Sequence, residues 1–414
     1  MSLYRGKNLS LEIFGASHAP ELGVFLRGFP AGEPVELPEL TAFLDRRRPG
    51  KSDLQSSRSE PDEPVFRSGL SGGVTDGTEL CAVIKNTDVR REDYTGHVPR
   101  PGHADFAAWT KYGLKHDMSG GGEFSGRMTA PLCVAGGICL QYLARRGITV
   151  AARMAKIAGA TENFEEEIRN AALCGDSVGG IIECTVTGLP AGLGAELFGG
   201  LESGISALCF AVPAVKGIEF GAGFAAAIMR GSEHNDPFCL SEGRIVTETN
   251  HHGGILGGIS TGMPLTFRVA IKPTPSIKKP QKSVDMDTMR EVNLSVGGRH
   301  DPCIVPRAVP VIEAACAIAL TDELLSGERA DDLAALRRKI DRTDAELVKL
   351  LTERFAICGK IGEYKKENAL PVYDPVREEE KLAALGAAAG EYTEEIKELY
   401  GKIFEISRDL QEKP

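Results

Sequence analysis

Several segments in the first three quarters of the chain set cations, histidines and hydroxyls beside glycine. Gly15-Ala16-Ser17-His18 follows a strand-like run ending at Phe14, and alone it reads as a turn with a surface histidine. Asp45-Arg46-Arg47-Arg48-Pro49-Gly50-Lys51, with Arg58 beyond it, is either a solvated face or a receptor for a polyanion. Guanidinium forks match the geometry of carboxylates and phosphates, which favours the second reading as much as the first. Arg100-Pro101-Gly102-His103-Ala104-Asp105 precedes Ser119-Gly120-Gly121-Gly122-Glu123-Phe124-Ser125-Gly126-Arg127, which opens onto a long apolar stretch. Glycines, a serine and an arginine at a helix start compose an anion cradle. No GK[ST] follows, and no GxGxxG follows a strand, so neither a Walker loop nor a dinucleotide fingerprint is present. Asn250 to Gly258, Lys272 to Ser276 and Gly297 to Pro302 repeat the same mixture. Each alone passes for ordinary loop chemistry; their recurrence points to a shared anionic ligand.

The last fifth of the chain carries charge of another kind. Arg354 and Lys365 are 11 residues apart. On a helix that is about 1,100° of rotation, within about 20° of three full turns, so they share a face. Arg337 falls about 100° off that face and would serve a partner's pocket in an antiparallel dimer. Ser407 and Gln411 form an i,i+4 pair. The competing reading is a set of solvated cations on a coiled coil.

The elements that must position these groups divide near residue 330. Residues 333–414 hold five of the 48 glycines and 32 charged residues. We place a first domain at 1–326, a polar linker at 327–332 and a second domain at 333–414. In the tail, apolar residues from Leu333 to Ile361 recur at three- and four-residue spacing. This predicts a helix of some 35 residues, too long to bury its stripe without a partner. Two shorter helices are expected at about 376–389 and 393–412. In the body, Leu9–Phe14, Ile181–Val186 and Leu265–Ile271 read as strands, and 127–146 and 310–325 as buried helices. Strand and helix do not alternate regularly, so the expected class is α+β rather than a doubly wound parallel sheet.

Composition sets the outer limits. The chain has 414 residues, 42% apolar and 26% charged, with a net charge of −10. That excludes wholesale disorder and disfavours sequence-blind nucleic-acid binding. No apolar run reaches membrane-spanning length, and Met1 to Phe14 carries charges where a signal peptide needs an apolar core. Ten cysteines lack CxxC or zinc-finger spacing. They read as reduced thiols of a cytoplasmic protein, with no metal site.

Taken together the motifs are specific. GASH at 15–18, DRRRPG at 45–50, RPGHAD at 100–105, GGG…SGR…TA at 120–130, HHGGILGGIS at 251–260, KPTPSI at 272–277 and RHDPC at 299–303 resemble chorismate synthases. That resemblance implies a layered β-α-β sandwich, a tetramer, and 1,4-elimination of phosphate from 5-enolpyruvylshikimate 3-phosphate with reduced FMN. It implies acid groups at His18 and His103, and Asp301 acting at the flavin. Arg47, Arg48 and Arg127 would bind substrate. Glu123, Phe124, Ser125, Gly257, Lys272, Pro273, Thr274, Pro275, Ser276 and Arg299 would hold the cofactor. Glu123, Met128, Pro213 and Asp53 depart from residues frequent in that family.

The tail, with Arg337-Arg338-Lys339-Ile340-Asp341, Glu353-Arg354, Glu363-Tyr364-Lys365 and Val372 to Glu378, is similar to the all-α chorismate mutases. These are three-helix domains that form a swapped helical dimer. The likeness implies that Arg337 of one chain joins Arg354 and Arg377 of the other on the carboxylates of chorismate. Lys365 and Gln411 would meet the ether oxygen and Glu378 the ring hydroxyl, with Asp374 and Ser407 lining the site. The reading is a bifunctional enzyme taking the phosphorylated enolpyruvyl ether through chorismate to prephenate, with small molecules and its own copies as partners. Its rivals make the tail a non-catalytic dimerisation or chorismate-sensing module, or an isochorismate pyruvate lyase.

Overall fold

The structure is a computed structural model. It describes the chain apart from residues 1, 51–53, 55–57, 59, 89–96, 298–299, 328–332 and 413–414, and the side chains of 327, 333–339, 342, 346 and 391. Residues 1–329 and 330–414 form two compact units.

Among its described residues the first unit has two large antiparallel sheets, with helices between them, and four two-stranded ones. One sheet runs in the order Ser2–Arg5, Ser10–Gly15, Glu21–Arg27, Leu80–Lys85, Val65–Ser68. The other runs Val215–Phe220, Leu265–Ile271, Gly180–Thr187, Thr149–Ile157. Alternation sets their inward faces: Leu22, Val24 and Leu26 on one, Leu265, Phe267, Val269 and Ile271 on the other, are all buried. The helices of this unit are α1 (Leu37–Arg47), α2 (Asp105–Tyr112), α3 (Thr129–Ala144), α4 (Phe164–Leu173), α5 (Leu201–Ala211), the single turn α6 (Gly231–His234) and α7 (Val305–Gly327). α3 and α7 are apolar almost all round and lie against each other, α3 also on the first sheet and α7 on the second. Gly136 makes this close approach possible, because a Cβ there would stand 2.2 Å from that of Ala314. Antiparallel layers around a helical core are the α+β sandwich expected from the sequence. Eight of the ten cysteines are buried and all are free.

The second unit is three helices: α8 (Leu333–Glu367), α9 (Pro375–Ala389) and α10 (Thr393–Glu412). The Asp374 carboxylate accepts from the Arg377 backbone N–H, and Pro375 takes the first helical position, so α9 starts sharply. α10 packs on both other helices. Gly362 of α8 lies where any side chain would meet the Gln411 backbone. Cys358, Ile403 and Phe404 are buried there, but Ile340, Leu347, Leu350 and Ile361 of α8 remain exposed. No helix among the described residues is long and apolar enough to cross a membrane.

Candidate active sites

A cavity of about 790 Å³ in the first unit gathers most of the motif residues. His18 enters it from the loop after the strand Ser10–Gly15, and His103 from the turn before α2. The glycine triplet seats both rings. Gly120 has φ +59°, and a Cβ on it would lie 2.8 Å from His18 Cε1; Gly121 has φ +89°, with its Cβ position 3.1 Å from His103 Nε2. The triplet itself is not the start of the long helix, although Gly120, Ser125, Gly126 and Arg127 of the expected anion cradle line the cavity. Left-handed glycines cannot extend a helix, and the Ser125 hydroxyl already accepts the Arg127 N–H. The triplet serves close approach instead.

His103 Nδ1 lies 2.7 Å from Asp105 Oδ1, and the same carboxylate accepts from the Arg100 backbone N–H and guanidinium. Burial alone would raise the Asp105 pKa, but the Arg100 and His103 hydrogen bonds outweigh it and hold the group far below the usual carboxylate range. The Asp105 carboxylate thus anchors the ring through Nδ1 and leaves Nε2 against Gly121.

The cation wall differs from the one expected. Arg47 is 2% exposed. It donates to Thr129 Oγ1 at 3.0 Å, Asp62 Oδ2 at 2.9 Å and the Gly126 carbonyl at 3.0 Å. Arg127 pairs with Asp62, donates through Nε to Asn86 Oδ1 at 2.9 Å, and keeps a buried Nη2 without a hydrogen-bond partner among the described residues. Arg48 does not line the cavity: α1 ends at Arg47, so its neighbour turns away, to Asp45 and the Glu60 carbonyl. Arg58 takes the lining position, donating to Ser17 O at 3.0 Å and Glu60 Oε1 at 2.7 Å.

Opposite stand Lys272, Thr274, Pro275 and Ser276, with Glu123, Phe124 and Ser125 on the rim. Lys272 Nζ donates to the Gly102 carbonyl, and burial, then the neighbouring Lys216 charge, lowers its pKa. Thr274 Oγ1 is buried without a partner among the described residues. Asp301 is held by Arg307 Nη1 at 2.5 Å. Two positions are not brought in. Gly257 sits at the tip of the hairpin Ile255–Leu256/Ile259–Ser260, whose turn its φ of +61° serves. Pro273 flanks the cavity without lining it. Arg299 lies outside the described residues.

In the second unit Arg354 Nη1 donates to Ser407 Oγ at 2.6 Å and lies over the Phe404 ring. Lys365 Nζ donates to the Val372 carbonyl at 2.7 Å. Gln411 Nε2 donates to Ser407 O at 3.2 Å, while its buried Oε1 is unpartnered among the described residues. Glu378 is held by Arg408 at 2.6 Å. Arg377 and Asp374 are exposed at the start of α9, Asp374 acting as its cap. Arg337 lies on α8, its side chain outside the described residues.

Sequence reasoning missed Arg58, Arg100, Arg307 and Lys216 as lining groups, and Arg408 in the tail. Arg100 stood inside a quoted motif and Arg58 just beyond one; Arg307 and Arg408 had no local signal. No group of three or more His, Cys, Asp or Glu among the described residues could hold a metal ion.

The family model for chorismate synthase matches residues 9–325, and that for chorismate mutase type II matches 336–412. A chorismate synthase of Lancefieldella parvula is 46% identical over 364 residues, covering 78% of this chain and 96% of its own. One from Thermococcus kodakarensis is 44% identical over 345 residues, covering 78% and 97%. A solved chorismate synthase crystal structure, 25% identical, superposes with a TM-score of 0.64 over 82% of this chain and 99% of its own.

Proposed function

This chain belongs to the chorismate synthase family and carries a type II chorismate mutase domain behind it, a bifunctional shikimate-pathway enzyme, and from that premise we propose how its residues divide the work. The observation that carries the assignment is the convergence of His18, His103, Asp301 and a wall of guanidiniums on one cavity.

His18 protonates the departing 3-phosphate, while Arg127 Nη2 and Arg58 hold its charge in a water-poor site. Arg47, its donors already engaged, supports Arg127 rather than gripping substrate. His103, anchored by Asp105, presents Nε2 for proton transfer, and the Asp301 carboxylate, paired with Arg307, would act at the cofactor's edge. The cofactor is FMN in its reduced form, which supplies electron density to the reacting centre. The residues present fit it: Thr274 Oγ1 is a buried hydroxyl lacking a partner, Lys272 and Ser276 flank it, and the cavity is of ligand-pocket size. Ser125, Phe124 and Glu123 would border the same group.

In the tail, Arg354 and Arg377 bind the carboxylates of chorismate, joined by Arg337 of a second copy. Lys365 and Gln411 meet the ether oxygen as it gains negative charge, and Glu378 the ring hydroxyl. A pericyclic step needs conformation and charge placement, not a nucleophile. The uncovered α8 stripe supports a dimer through the tail, and exposed Phe198, Phe224, Ile228 and Phe238 support further assembly through the body. We place the domains at 1–326 and 333–414, in a cytoplasmic enzyme.

The test is an anaerobic incubation with 5-enolpyruvylshikimate 3-phosphate and reduced FMN, following phosphate, chorismate and prephenate together. Phosphate matched by prephenate is expected. Accumulated chorismate would make the tail a binding module, pyruvate release from isochorismate would make it a lyase, and absence of phosphate would sink the assignment of the body.

A further inference from the structure

We propose that Glu60 and Asp62 are positioning residues of the phosphate elimination: two buried carboxylates that hold Arg58, Arg127 and Arg47 in place and leave Arg127 Nη2 open for a phosphate monoester. The proposal rests on the synthase reading above. Both acids are 2% exposed, and neither lines the cavity. They act only through what they hold.

Glu60 accepts from Arg58 Nε at 2.9 Å and Nη2 at 2.7 Å, and from the Thr87 N–H and hydroxyl at 2.9 and 3.0 Å; Arg127 Nη2 stands 3.7 Å away. Asp62 gives one oxygen to Arg47 and the other to Arg127. Each carboxylate therefore bridges cations that come from separate segments and would otherwise repel one another. Burial pushes the Arg47 guanidinium down to about 10; the Asp62 charge opposes that fall, and Arg307 and Arg127 add to it. Removing one charge from such a cluster leaves the remainder buried and uncompensated. Asp62 also has φ +49°, in the left-handed region where aspartate is among the few non-glycine residues tolerated.

Geometry then selects which donor stays open. Asp62 occupies Nη1 of Arg127 and Asn86 occupies Nε, so Nη2 is what remains. Its distance from Glu60 is longer than a hydrogen bond. A phosphate oxygen in the cavity supplies the missing acceptor, with Arg58 and His18 lining the same space.

The test uses the full chain with Glu60→Gln and Asp62→Asn, each nearly isosteric. Inorganic phosphate is the probe, titrated calorimetrically so that the readout does not need turnover. Phosphate affinity and kcat/KM for elimination should each fall about tenfold or more, the weight of a hydrogen bond to a charged group, with KM rising. Mutase turnover by the same chains should stay constant. Glu60→Asp, which keeps the charge, should recover much of the phosphate affinity. Glu313→Gln is the structural control, because Glu313 is a buried acid that pairs with Arg46 and neither lines the cavity. It should lower the melting temperature and leave phosphate affinity unchanged. Should Asp62→Asn not fold, Glu60→Gln decides. Normal turnover with unaltered phosphate affinity in the folded variants would overturn the proposal, as would a wild-type chain that binds no phosphate. No elimination by the wild type, with phosphate affinity still sensitive to Glu60, would sink the synthase reading and leave the carboxylates' role standing.

Discussion

In the first unit Arg47 and Arg127 are almost wholly buried, and each is paired with a carboxylate of the same unit. In the second, Arg354 is half-buried against a serine hydroxyl, Lys365 meets a backbone carbonyl, and Arg377 is exposed. The two reactions account for the contrast. Expelling a phosphate develops charge that preorganised, desolvated groups must receive. A rearrangement of chorismate moves little charge and depends on the shape of the site. The body therefore builds its wall from one chain, whereas the tail leaves a stripe on α8 uncovered.

Uncoupling the two halves gives the largest effects. His18→Ala should lower phosphate release by roughly 10²–10⁴-fold while conversion of added chorismate to prephenate continues. A parallel loss of both activities would mean that the units are not chemically independent. Arg354→Ala should do the reverse, cutting mutase kcat/KM by about 10²–10³-fold, so that chorismate accumulates at normal phosphate output. Gly362→Val forces α8 from α10 and should destabilise the tail by about 1–3 kcal/mol. Calorimetry would show this as a lower transition for one unit only. Gly121→Ala pushes on His103 in a left-handed conformation; a cost of about 1 kcal/mol in reaching the reactive geometry should appear as a fall in elimination rate of about fivefold.

Acid sharpens the comparison more gently. Burial opposes ionisation of Glu60, Asp62 and Asp105, yet their hydrogen bonds and neighbouring arginines depress all three pKa values. A depressed carboxyl contributes stability that is present above its unfolded value, near 4, and is lost as pH falls through the folded one. The tail's depressed carboxyl, Glu405, is fully exposed. Lowering pH below about 4 should therefore melt the body before the tail, and Asp105→Asn should flatten the body's acid limb. Melting of the tail first would contradict this ordering.

The tail was legible in the sequence because its information is local. The spacing of Arg354 and Lys365, the 35-residue amphipathic run and the Asp374-Pro375 start all act within a few turns of one helix. The body was legible as layers and as motifs, but less so as a site. Arg47 and Arg48 are adjacent in sequence and the helix end between them separates their roles. Arg58 read as an appendage to a basic run, and Glu60 and Asp62 gave no signal that singled them out. The glycine triplet was legible as a site element, but nothing local says that two histidine rings will come to rest on it.

Composition, periodicity and residue type by themselves determined the two units, the helical tail and the α+β class of the body, because burial of an apolar face is decided segment by segment; the layered sandwich and the tail's ligand came only from the family resemblance. The tertiary structure decided which guanidinium is fully engaged and which keeps an unpartnered nitrogen, which nitrogen of His103 meets Asp105, and which acids pair with Arg47, Arg58 and Arg127. Those outcomes depend on the sum of desolvation and pairing at one point in space, to which segments as distant as Arg58, Arg127 and Arg307 contribute together.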